Sequence, residues 1–468
     1  MRMRTGWSRA AAAALALVLG AGLAGCADGQ AGEPETPDRK LTVWSLENLP
    51  PRMAASNRII DRFERRSGIE VELVGVAENQ LPQLIMSAAA AGNLPDVIGA
   101  IPMGQLWQMY GNELLNTEVS TDIVKELGKD TFNTNALDLT SEKGRQLAVP
   151  SDAWLQILLY RKDLLDQAKL PEPDTYQKAV RAAERLDTGG RVGMAAATDP
   201  SDAFTQQSFE SLALANGCQL VDQRGEITLD SPNCQQAFRT YHQLAGEHGA
   251  AGTQSLDTTR ATYFAGKSPM LLWSSFVLDE LAGLRKDALP SCPDCESDPS
   301  HLADRTGVVT SMRGPDSAEA AQFGEITSWA VTRTAETEAS RQFVRYMMSA
   351  GYSDWFGMSP EGKIPVRSGT ADEPKRYERA WRDSEIGVDT RKPLNEVFPD
   401  RLLDQLTEGV SRMQRWGFQQ GEGVLVGATS GELPVPRAVG AMTSGQTTPA
   451  EAARKAAEEV TALRDSLE

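Results

Sequence analysis

The sequence predicts an α/β fold in which a mostly parallel sheet is covered by helices. Three short β-prone runs, residues 41–44, 69–74 and 96–98, alternate with two helical segments, residues 53–67 and 81–91. This β-α-β-α-β order requires crossover connections, which are right-handed in almost all proteins and place helices on the faces of a parallel sheet. Ligands of such sheets bind beyond the carboxyl ends of the strands, so a ligand is expected near the residues that follow these runs.

The first two helices are predicted from the spacing of their apolar residues. Ile59, Ile60 and Phe63 lie on one face of the first segment, and Gly68 ends it. The second segment shows the same spacing and ends at a turn, residues 92–95. Both segments are therefore expected to bury one face against the sheet.

The remaining chain continues the alternation of strands and helices. Strands are predicted at residues 146–150, 156–160, 269–272 and 326–331, with a loop at residues 151–154 between the first two. Helices are predicted at residues 176–186, 204–215, 235–248, 258–266 and 338–349. Beyond residue 349 the chain is predicted to be mostly helical, with a polar loop near residues 417–431.

Composition and charge exclude several classes of protein. The chain of 468 residues carries 47 Lys and Arg against 64 Asp and Glu, which gives a formal net charge of −17. Proteins that bind nucleic acid or anionic lipid by charge need basic surfaces, so neither class fits this chain. Its length favours two or three domains. Because it has only three histidines, a histidine-built metal site is not expected, whereas sites built from Asp, Glu or Cys are compatible with this count. We expect no metal and no cofactor.

The first 26 residues predict export. Arg2, Arg4 and Arg9 precede an apolar stretch, residues 10–23, that is too short to span a bilayer as a helix. Small residues then lead to Cys26, which is typical of a cleaved signal peptide, here residues 1–25. The run Leu-Ala-Gly-Cys resembles a bacterial lipobox, which implies diacylation of the Cys26 thiol. The alternative is an ordinary signal peptide with an incidental cysteine.

Residues 26–39 predict a flexible tether, because they are polar and rich in Gly, Pro and acidic residues. No later apolar stretch is long enough to span a membrane. We therefore expect a globular protein at the extracellular face of the cell membrane, anchored by lipid at Cys26.

Export makes disulfides the expected state of the four cysteines that follow Cys26, and four cysteines allow three connectivities. Cys218 and Cys234 flank a segment whose pattern predicts a β-hairpin, so we expect the pairs Cys218–Cys234 and Cys292–Cys295. The spacing of the second pair also occurs in redox and zinc sites. Neither a thioredoxin-like setting nor a second zinc-ligand pair accompanies it here.

Common catalytic motifs are absent from the sequence. It contains no G-x-S-x-G, no H-E-x-x-H and no G-x-G-x-x-G after a strand. The Gly-Lys-Ser run at residues 266–268 lacks the first glycine of a phosphate-binding loop, since position 261 is alanine. A glycosidase-like carboxylate pair stays open, because its separation depends on the three-dimensional structure.

Tryptophan is the remaining signal for a ligand. Trp44, Trp154 and Trp273 each lie at or just past the end of a predicted strand, and Trp329 lies within one. A flat apolar face beside polar groups suits a sugar ring. The alternative for each tryptophan is packing in the core, so this interpretation depends on the joint placement of the three.

Eight segments carry a resemblance to a known family. They are residues 41–44 (LTVW), 63–71 (FERRSGIEV), 91–97 (AGNLPDV), 149–150 (VP), 159–164 (LYRKDL), 263–267 (YFAGK), 362–367 (GKIPVR) and 444–452 (SGQTTPAEA). In this order and spacing the chain resembles the extracellular solute-binding proteins of sugar ABC transporters, the group that contains maltose-binding protein. Arg161 stands where the family usually has Asn, and the middle of the chain and the loop before the last helices match poorly.

The resemblance implies a periplasmic-binding-protein-like fold with two α/β lobes, a hinge and a ligand cleft between the lobes. It places the N-terminal lobe at residues 40–152 plus 273–326. The C-terminal lobe would comprise residues 153–272 plus 327–468.

Ligand-binding residues are implied at the matching positions, which are Ser45, Glu47, Asn48, Met103, Asp152, Trp154, Trp273, Phe276, Glu325, Trp329 and Arg367. Carboxylates such as Glu47 and Asp152 would accept hydrogen bonds from sugar hydroxyls, and Trp154 and Trp273 would stack. Arg367 would donate hydrogen bonds or pair with an anionic group. The alternatives are a solvated Glu47, an Asp152 that caps the hinge and an Arg367 in a surface ion pair.

The resemblance implies a monomeric substrate-binding lipoprotein that captures a sugar or oligosaccharide and delivers it to ABC permease subunits in the membrane, without catalysis. Two alternatives stay open. One is the same fold binding a non-sugar solute such as a glycerophosphodiester, and the other is an exported enzyme that acts on glycosides.

Overall fold

The computed structural model describes residues 40–467, which belong to one compact unit. The predicted signal peptide, the predicted tether and Cys26 lie outside the described residues. No helix within residues 40–467 is long and apolar enough to cross a membrane.

Twelve strands lie within the described part of the chain, and eight of them form one central sheet. In chain order, β1 to β12 are Lys40–Ser45, Glu70–Gly75, Val97–Pro102, Ser141–Glu142, Arg145–Gln146, Val149–Arg161, Met270–Ser274, Thr306–Val309, Gly324–Val331, Ile364–Pro365, Glu385–Ile386 and Lys392–Pro393.

Twenty α-helices surround the sheet within residues 40–467. In chain order, α1 to α20 are Pro50–Ser67, Leu81–Ala91, Met103–Gly111, Thr117–Leu127, Thr134–Leu139, Lys162–Gln167, Tyr176–Leu186, Ala203–Ala215, Pro232–Tyr241, Leu256–Phe264, Leu278–Leu281, His301–Arg305, Thr337–Met347, Tyr352–Phe356, Arg376–Arg382, Leu394–Val397, Asp400–Arg412, Gly423–Glu432, Pro434–Thr443 and Pro449–Leu467.

The central sheet is parallel only at one edge. β1 lies between β2 and β3, and all three strands run parallel, with Val43 opposite both Leu73 and Val97. β9 pairs antiparallel with β3 and β6, and β7, β8 and β10 pair antiparallel with β6. The expectation of a mostly parallel sheet therefore holds for the first three strands only, because β6 and β9 pair directly in opposite directions.

Helix α1 is fixed on the sheet by apolar residues at helical spacing. Ile59 and Phe63 are buried, and the Phe63 ring lies 5.3 Å from that of Phe343 on α13. Pro50 occupies the first turn, where no N–H is needed, and Gly68 ends the helix with a left-handed φ of 70°. The chain then enters β2 parallel to β1, so the segments after β1, β2 and β3 emerge at the same edge of the sheet.

Strand β6 is one continuous element of 13 residues, whereas two short strands around a loop were predicted. Its first half pairs with β9, with a shift of register between Pro150 and Asp152. Its second half pairs with β7 and β8. The predicted loop is absent because Ala153 and Trp154, within it, pair with Ile326 and Glu325 of β9.

Contacts between helices show which elements pack together, whereas the boundaries of the two lobes stay a prediction. α13 and α14 pack against α1, and α13 also packs against α4. α19 packs against α8, and α20 packs against α9. The segment from α13 to α14 thus lies beside the first strands, although the resemblance implies that it belongs to the second lobe.

The polar loop predicted near residues 417–431 extends only to residue 422, because α18 begins at Gly423. Gly423, Gly427 and Gly431 recur at every fourth residue of α18, which packs closely against α3. A Cβ on Gly427 would lie 2.7 Å from the backbone nitrogen of Gln108 and 3.0 Å from the carbonyl oxygen of Gly104. The glycines that suggested a loop instead permit two helices to approach closely.

Both predicted disulfides, Cys218–Cys234 and Cys292–Cys295, are confirmed. The hairpin predicted between the first pair is present in a short form, with one antiparallel bridge between Val221 and Ile227. Backbone hydrogen bonds from the Asp222 N–H to the Glu226 carbonyl and from the Thr228 N–H to the Leu220 carbonyl flank this bridge. The Asp222 carboxylate accepts hydrogen bonds from two backbone N–H groups there, which holds the segment in a turn.

Loss of the first disulfide should destabilise the protein more than loss of the second. Cys218 and Cys234 are 16 residues apart, and closing a loop of about this length contributes about 3 kcal/mol in the chain-entropy model. Cys292 and Cys295 are only 3 residues apart. Each pair is replaced by alanine, and denaturant unfolding is followed without reductant. An equal or larger loss for the second pair would contradict this account.

Candidate functional site

A buried cation joins two of the predicted site residues. The Lys363 ammonium lies 2.6 Å from the Glu47 carboxylate and 3.2 Å from that of Asp152. It also lies 4.3 Å from the centre of the Trp355 ring, whose face attracts a cation. Lys363 is fully buried, so its charge depends on these three partners.

The Asp152 carboxylate is fully engaged within the protein. It accepts hydrogen bonds of 2.7 Å from the hydroxyls of Ser151 and Thr327 and from the Trp355 indole, in addition to the ammonium of Lys363. These partners lie on β6, β9, α14 and the residue before β10. Asp152 therefore fastens the crossing strands together.

Glu47 is held ionised by two cations. Burial alone would raise its pKa, but Lys363 and Arg52, the latter at 2.9 Å, outweigh burial and lower it to about 2. Arg52 also donates a 2.8 Å hydrogen bond to Ser359, and its guanidinium lies 5.0 Å from the centre of the Phe276 ring. Predicted residue Phe276 thus covers this ion pair.

A second buried ion cluster centres on Arg415. Its guanidinium lies 2.9 Å from Glu210 on α8 and 2.6 Å from Glu325 on β9. The other Glu325 oxygen accepts a 2.8 Å hydrogen bond from the backbone N–H of Met103. Burial raises the pKa of Glu210 to about 7 even though Arg415 and the Trp416 N–H act in the opposite direction.

A small cavity of about 30 Å³ adjoins this second cluster. Its lining consists mostly of polar side chains. They come from the segments after β2 and β3, from the start of α8, from β9, from the segment before α18 and from α18 itself. The lining residues are Glu78, Pro102, Gly104, Gln105, Ala203, Gln206, Gln207, Glu325, Arg415 and Ser430. The space holds only one or two waters, so a larger ligand enters only if the walls separate.

Two buried side-chain oxygens in or next to the cavity lining accept no hydrogen bond within residues 40–467. One is Oε1 of the lining residue Gln206, which is 5% exposed, and the other is Oε2 of Glu210, which does not line the cavity but is paired with Arg415. Glu78 is exposed to solvent and makes no ion pair with another described residue.

Other predicted residues lie beside these clusters. The buried Ser45 hydroxyl accepts a hydrogen bond from the Glu47 N–H, and Asn48 is exposed. The Trp154 ring packs 6.0 Å from that of Phe323. Trp154 is 8% exposed, so most of its ring is covered in this conformation.

Trp273 lies near the start of α8, where its ring packs 5.7 Å from that of Phe204. Its indole N–H donates a 3.2 Å hydrogen bond to the Leu256 carbonyl, and Arg260 lies over the ring at 5.9 Å. The residue is 4% exposed, so stacking on a ligand would require it to be uncovered.

Trp329 and Arg367 lie outside the cavity lining. Trp329 packs in the core, 4.6 Å from the Trp355 ring. Arg367 is 2% exposed and donates to Thr131 and to the carbonyl of Leu127, so it is not in a surface ion pair. Burial lowers its pKa.

Sequence reasoning missed Glu78, Gln206, Glu210 and Arg415. The rule that ligands bind beyond the ends of parallel strands applies equally to β2, and it would have indicated Glu78. The other three gave no signal in the sequence. Glu210 and Arg415, for example, are 205 residues apart, so only the fold brings them together.

A larger groove of about 1070 Å³ lies elsewhere, between α7 and the segment after β8. Tyr176 and Arg313 line it, but none of the predicted site residues does. We take the small cavity as the candidate site because it collects unpartnered polar atoms beside predicted residues.

Comparison with known sequences relates the chain to transport proteins. The profile of a family described as bacterial extracellular solute-binding protein matches residues 58–382. A putative ABC transporter periplasmic-binding protein of Escherichia coli is 28% identical over 390 residues, which cover 80% of this chain and 83% of that protein.

Solved structures show a similar fold. The maltose-bound MalE3 protein of T. maritima has a TM-score of 0.69 at 18% identity, over 91% of this chain and 99% of its own. A sugar transporter protein of Arthrobacter chlorophenolicus with bound laminaribiose has a TM-score of 0.69 at 16% identity, over 90% and 99%. At this identity the likeness establishes the fold, which is the two-lobed α/β fold expected from the sequence.

Replacing Lys363 with Met should destabilise the protein strongly. The change leaves two buried carboxylates without their shared cation, and breaking a buried pair in this way costs about 3–5 kcal/mol. Denaturant unfolding at pH 7 measures the loss. The exposed pair of Arg454 and Glu458 offers a control, since Arg454→Met should leave stability unchanged.

The difference in stability between the wild type and Lys363→Met should depend on pH. The pKa of Glu47 is lowered from 4.5 to about 2 in the folded protein, so its ion pair stabilises above pH 4.5, and this contribution is lost as the pH falls towards 2. The difference between wild type and Lys363→Met should therefore shrink across this range. A difference that stays constant down to pH 2 would contradict this assignment.

Proposed function

Because the chain belongs to the family of bacterial extracellular solute-binding proteins, we propose that it captures a sugar or oligosaccharide and delivers it to the membrane permease of an ABC importer. The solute binds in the cavity beside Arg415 and is not chemically changed. The relatives support this proposal: one curated relative is an ABC transporter binding protein, and structures of similar fold hold maltose or laminaribiose.

The cavity itself carries the proposal. Its walls come from segments on both sides of the predicted cleft, namely the segments after β2 and β3 on one side and α8 on the other. Carboxylate and amide groups dominate the lining, and those that lack partners are hydrogen-bond acceptors. Each sugar hydroxyl carries one O–H donor, so a sugar can donate hydrogen bonds to several of these acceptors at once.

Closure of the lobes couples binding to transport. α18 follows a segment attached to α8, where Trp416 packs 6.1 Å from Phe209 and its N–H binds Glu210. The same helix packs on α3 at the opposite wall. We assign α13 and α14 to the lobe of α1, so that a solute held between α3 and α8 stabilises the closed form.

The charges of the cavity weigh against two alternatives. A glycerophosphodiester needs a free cation, but Arg415 already serves Glu210 and Glu325. A glycosidase needs two free carboxyl groups, but both oxygens of Glu325 are engaged, which leaves Glu78 as the one acidic side chain of the lining without a partner among the described residues. A neutral or cationic solute that is bound without reaction fits the cavity better.

Lipidation at Cys26 completes the proposal. The family is extracellular, and a diacylated Cys26 would hold the protein at the membrane beside its permease. The monomer expected from the sequence suits one-to-one docking of the closed form on that permease.

Saccharides should stabilise the protein against heat. The protein from Ala27 onward is screened with mono- and oligosaccharides, with glycerophosphodiesters and short peptides included. A ligand at 100 times its dissociation constant contributes about 2.7 kcal/mol, which shifts the melting midpoint measurably. A shift with phosphodiesters or peptides alone would contradict the sugar assignment.

Replacing Gln206 with Leu should weaken binding without destabilising the free protein. An unpartnered buried amide costs about 1–3 kcal/mol, so its removal leaves the free energy of unfolding equal or higher. Loss of its bond to the solute should lower affinity about tenfold by calorimetry. Gln235→Leu on α9, outside the cavity lining, serves as control. Unchanged affinity in Gln206→Leu would place the solute elsewhere.

Gly427→Ala should hinder closure, whereas Gly431→Ala should not. The first Cβ would meet α3 backbone at 2.7 Å, and the second meets nothing nearer than 3.7 Å. Overpacking costs about 1–3 kcal/mol and acts here on the closed form, so affinity should fall about tenfold in Gly427→Ala only. Equal affinities of the two variants would contradict the role of α18.

A further inference from the structure

A pocket of about 640 Å³ lies between the start of α1 and α11, and it shares no lining residue with the cavity beside Arg415. The turn before β10 and the loop between β11 and β12 complete its walls. We call this space the α1–α11 pocket; its lining residues fall within the ranges 49–58, 279–287, 358–361 and 387–391. Its volume is typical of sites that bind small molecules.

The wall of the α1–α11 pocket includes apolar side chains that face solvent. Leu49 and Val388 are 43% and 42% exposed, and both line the pocket together with Pro50, Pro51 and Met358. Apolar side chains exposed singly are ordinary, but a concave surface that gathers several of them is typical of a binding site.

Two buried carboxyl groups in the lining of the α1–α11 pocket are incompletely hydrogen-bonded. Asp279 on α11 and Glu361 before β10 are both buried. Oδ1 of Asp279 and Oε2 of Glu361 have no hydrogen-bond partner within residues 40–467. Such atoms are rare in folded proteins, because each costs free energy while it stays unpartnered. Both atoms are covered in this conformation, so a ligand reaches them only when a side chain of the wall moves.

Arg52 adds hydrogen-bond donors to the same wall. Its side chain is 20% exposed, and it donates to Glu47 at 2.9 Å and to Ser359 at 2.8 Å. A guanidinium has five N–H groups, so Arg52 can also donate to a ligand. The α1–α11 pocket thus places donors and carboxyl groups beside exposed apolar surface.

The charges of the lining nearly cancel, since four acidic and five basic side chains contribute to it. The basic groups beside the buried acids are already paired, Arg52 with Glu47 at 2.9 Å and Arg285 with Asp287 at 2.7 Å. The other three basic residues, Arg58, Lys286 and Arg391, are exposed. An anionic ligand would therefore meet Asp279 and Glu361 without a free cation beside them, and a cationic ligand would meet Arg52 and Arg285.

Hydroxyl groups suit this lining better than charged groups. Burial, followed by the charge of Glu361, raises the pKa of Asp279 to about 8, so this carboxyl group carries a proton at neutral pH. A hydroxyl both donates and accepts, whereas an ammonium only donates and a carboxylate only accepts. A sugar ring combines several hydroxyls with an apolar face, which matches the exposed surface of Leu49 and Val388.

Resting on the proposed function for the class of solute, we propose that the α1–α11 pocket is a further saccharide site, which binds a neutral sugar unit in addition to the cavity beside Arg415. Asp279, Glu361 and Arg52 hydrogen-bond the sugar hydroxyls, and Leu49 and Val388 contact its apolar face. The pocket adjoins the segment that follows β1, which is the edge of the sheet where ligands of such folds bind.

The test titrates neutral and charged saccharides into the protein from Ala27 at pH 7 by calorimetry. The neutral probes are glucose, maltose, cellobiose, laminaribiose and the trisaccharides of the same linkages, and the charged probes are glucuronic acid and glucosamine. We expect the charged probes to bind no more tightly than glucose.

Two variants assign binding to the α1–α11 pocket. Leu49→Asn removes exposed apolar surface, and Asp279→Leu removes a buried carboxyl group while keeping a side chain of similar shape. Each should lower the affinity for at least one neutral saccharide about tenfold. Because Leu49 is exposed, Leu49→Asn should keep the wild-type melting midpoint, so the test stands even if Asp279→Leu folds poorly. Leu84→Asn on α2, an exposed apolar residue outside the pocket, is the control and should keep the wild-type affinity.

The outcomes separate this inference from the proposed function. Wild-type affinity for every saccharide in both Leu49→Asn and Asp279→Leu would overturn the further site, and a loss of affinity in Gln206→Leu alone would leave capture in the cavity beside Arg415 intact. Tenfold tighter binding of glucuronic acid or glucosamine than of glucose would overturn the preference for a neutral sugar. No binding by any saccharide would overturn the proposed function and this inference together.

Discussion

The ammonium of Lys363 joins the segment after β1 to β6 through the buried carboxylates of Glu47 and Asp152. An isolated charge in a fully buried position is costly, and Lys363 is tolerated because Glu47, Asp152 and the face of Trp355 surround it. These partners belong to the segment after β1, to β6 and to α14. Their common cation therefore sets the distance between the first parallel strands and the strands that cross towards α8.

The positions of the cavity residues follow from that junction. Asp152 accepts the Thr327 hydroxyl on β9, and Glu325 lies two residues earlier on the same strand. Glu325 in turn meets Arg415 and the N–H of Met103. The two ion clusters differ in one respect. Lys363 and Arg52 pair with the buried carboxylates of Glu47 and Asp152, whereas Glu78 of the cavity lining has no cation partner among the described residues.

The sequence predicted the elements with strong local patterns and missed those that depend on distant partners. Helical spacing and Gly68 located α1, and strand order located the edge where Glu47 lies. The glycines of α18 were misinterpreted, because only contact with α3 distinguishes a close helix pair from a loop. Arg415 gave no signal, since its partners lie on α8 and β9. The sequence also does not distinguish Trp329, which packs against Trp355 in the core, from Trp154, which packs against Phe323. Only the neighbours in the folded structure tell a core tryptophan from one beside a cleft.

A crystal structure of the protein from Ala27 onward, with the saccharide that binds it most tightly, tests the central claim most directly. The account predicts that the solute lies between Glu78 and Gln206, that the oxygens of Gln206 and Glu210 now accept hydrogen bonds from it, and that Arg415 keeps both of its carboxylate partners. A solute seated in the groove lined by Tyr176 and Arg313, or one that touches neither Glu78 nor α8, would contradict the account.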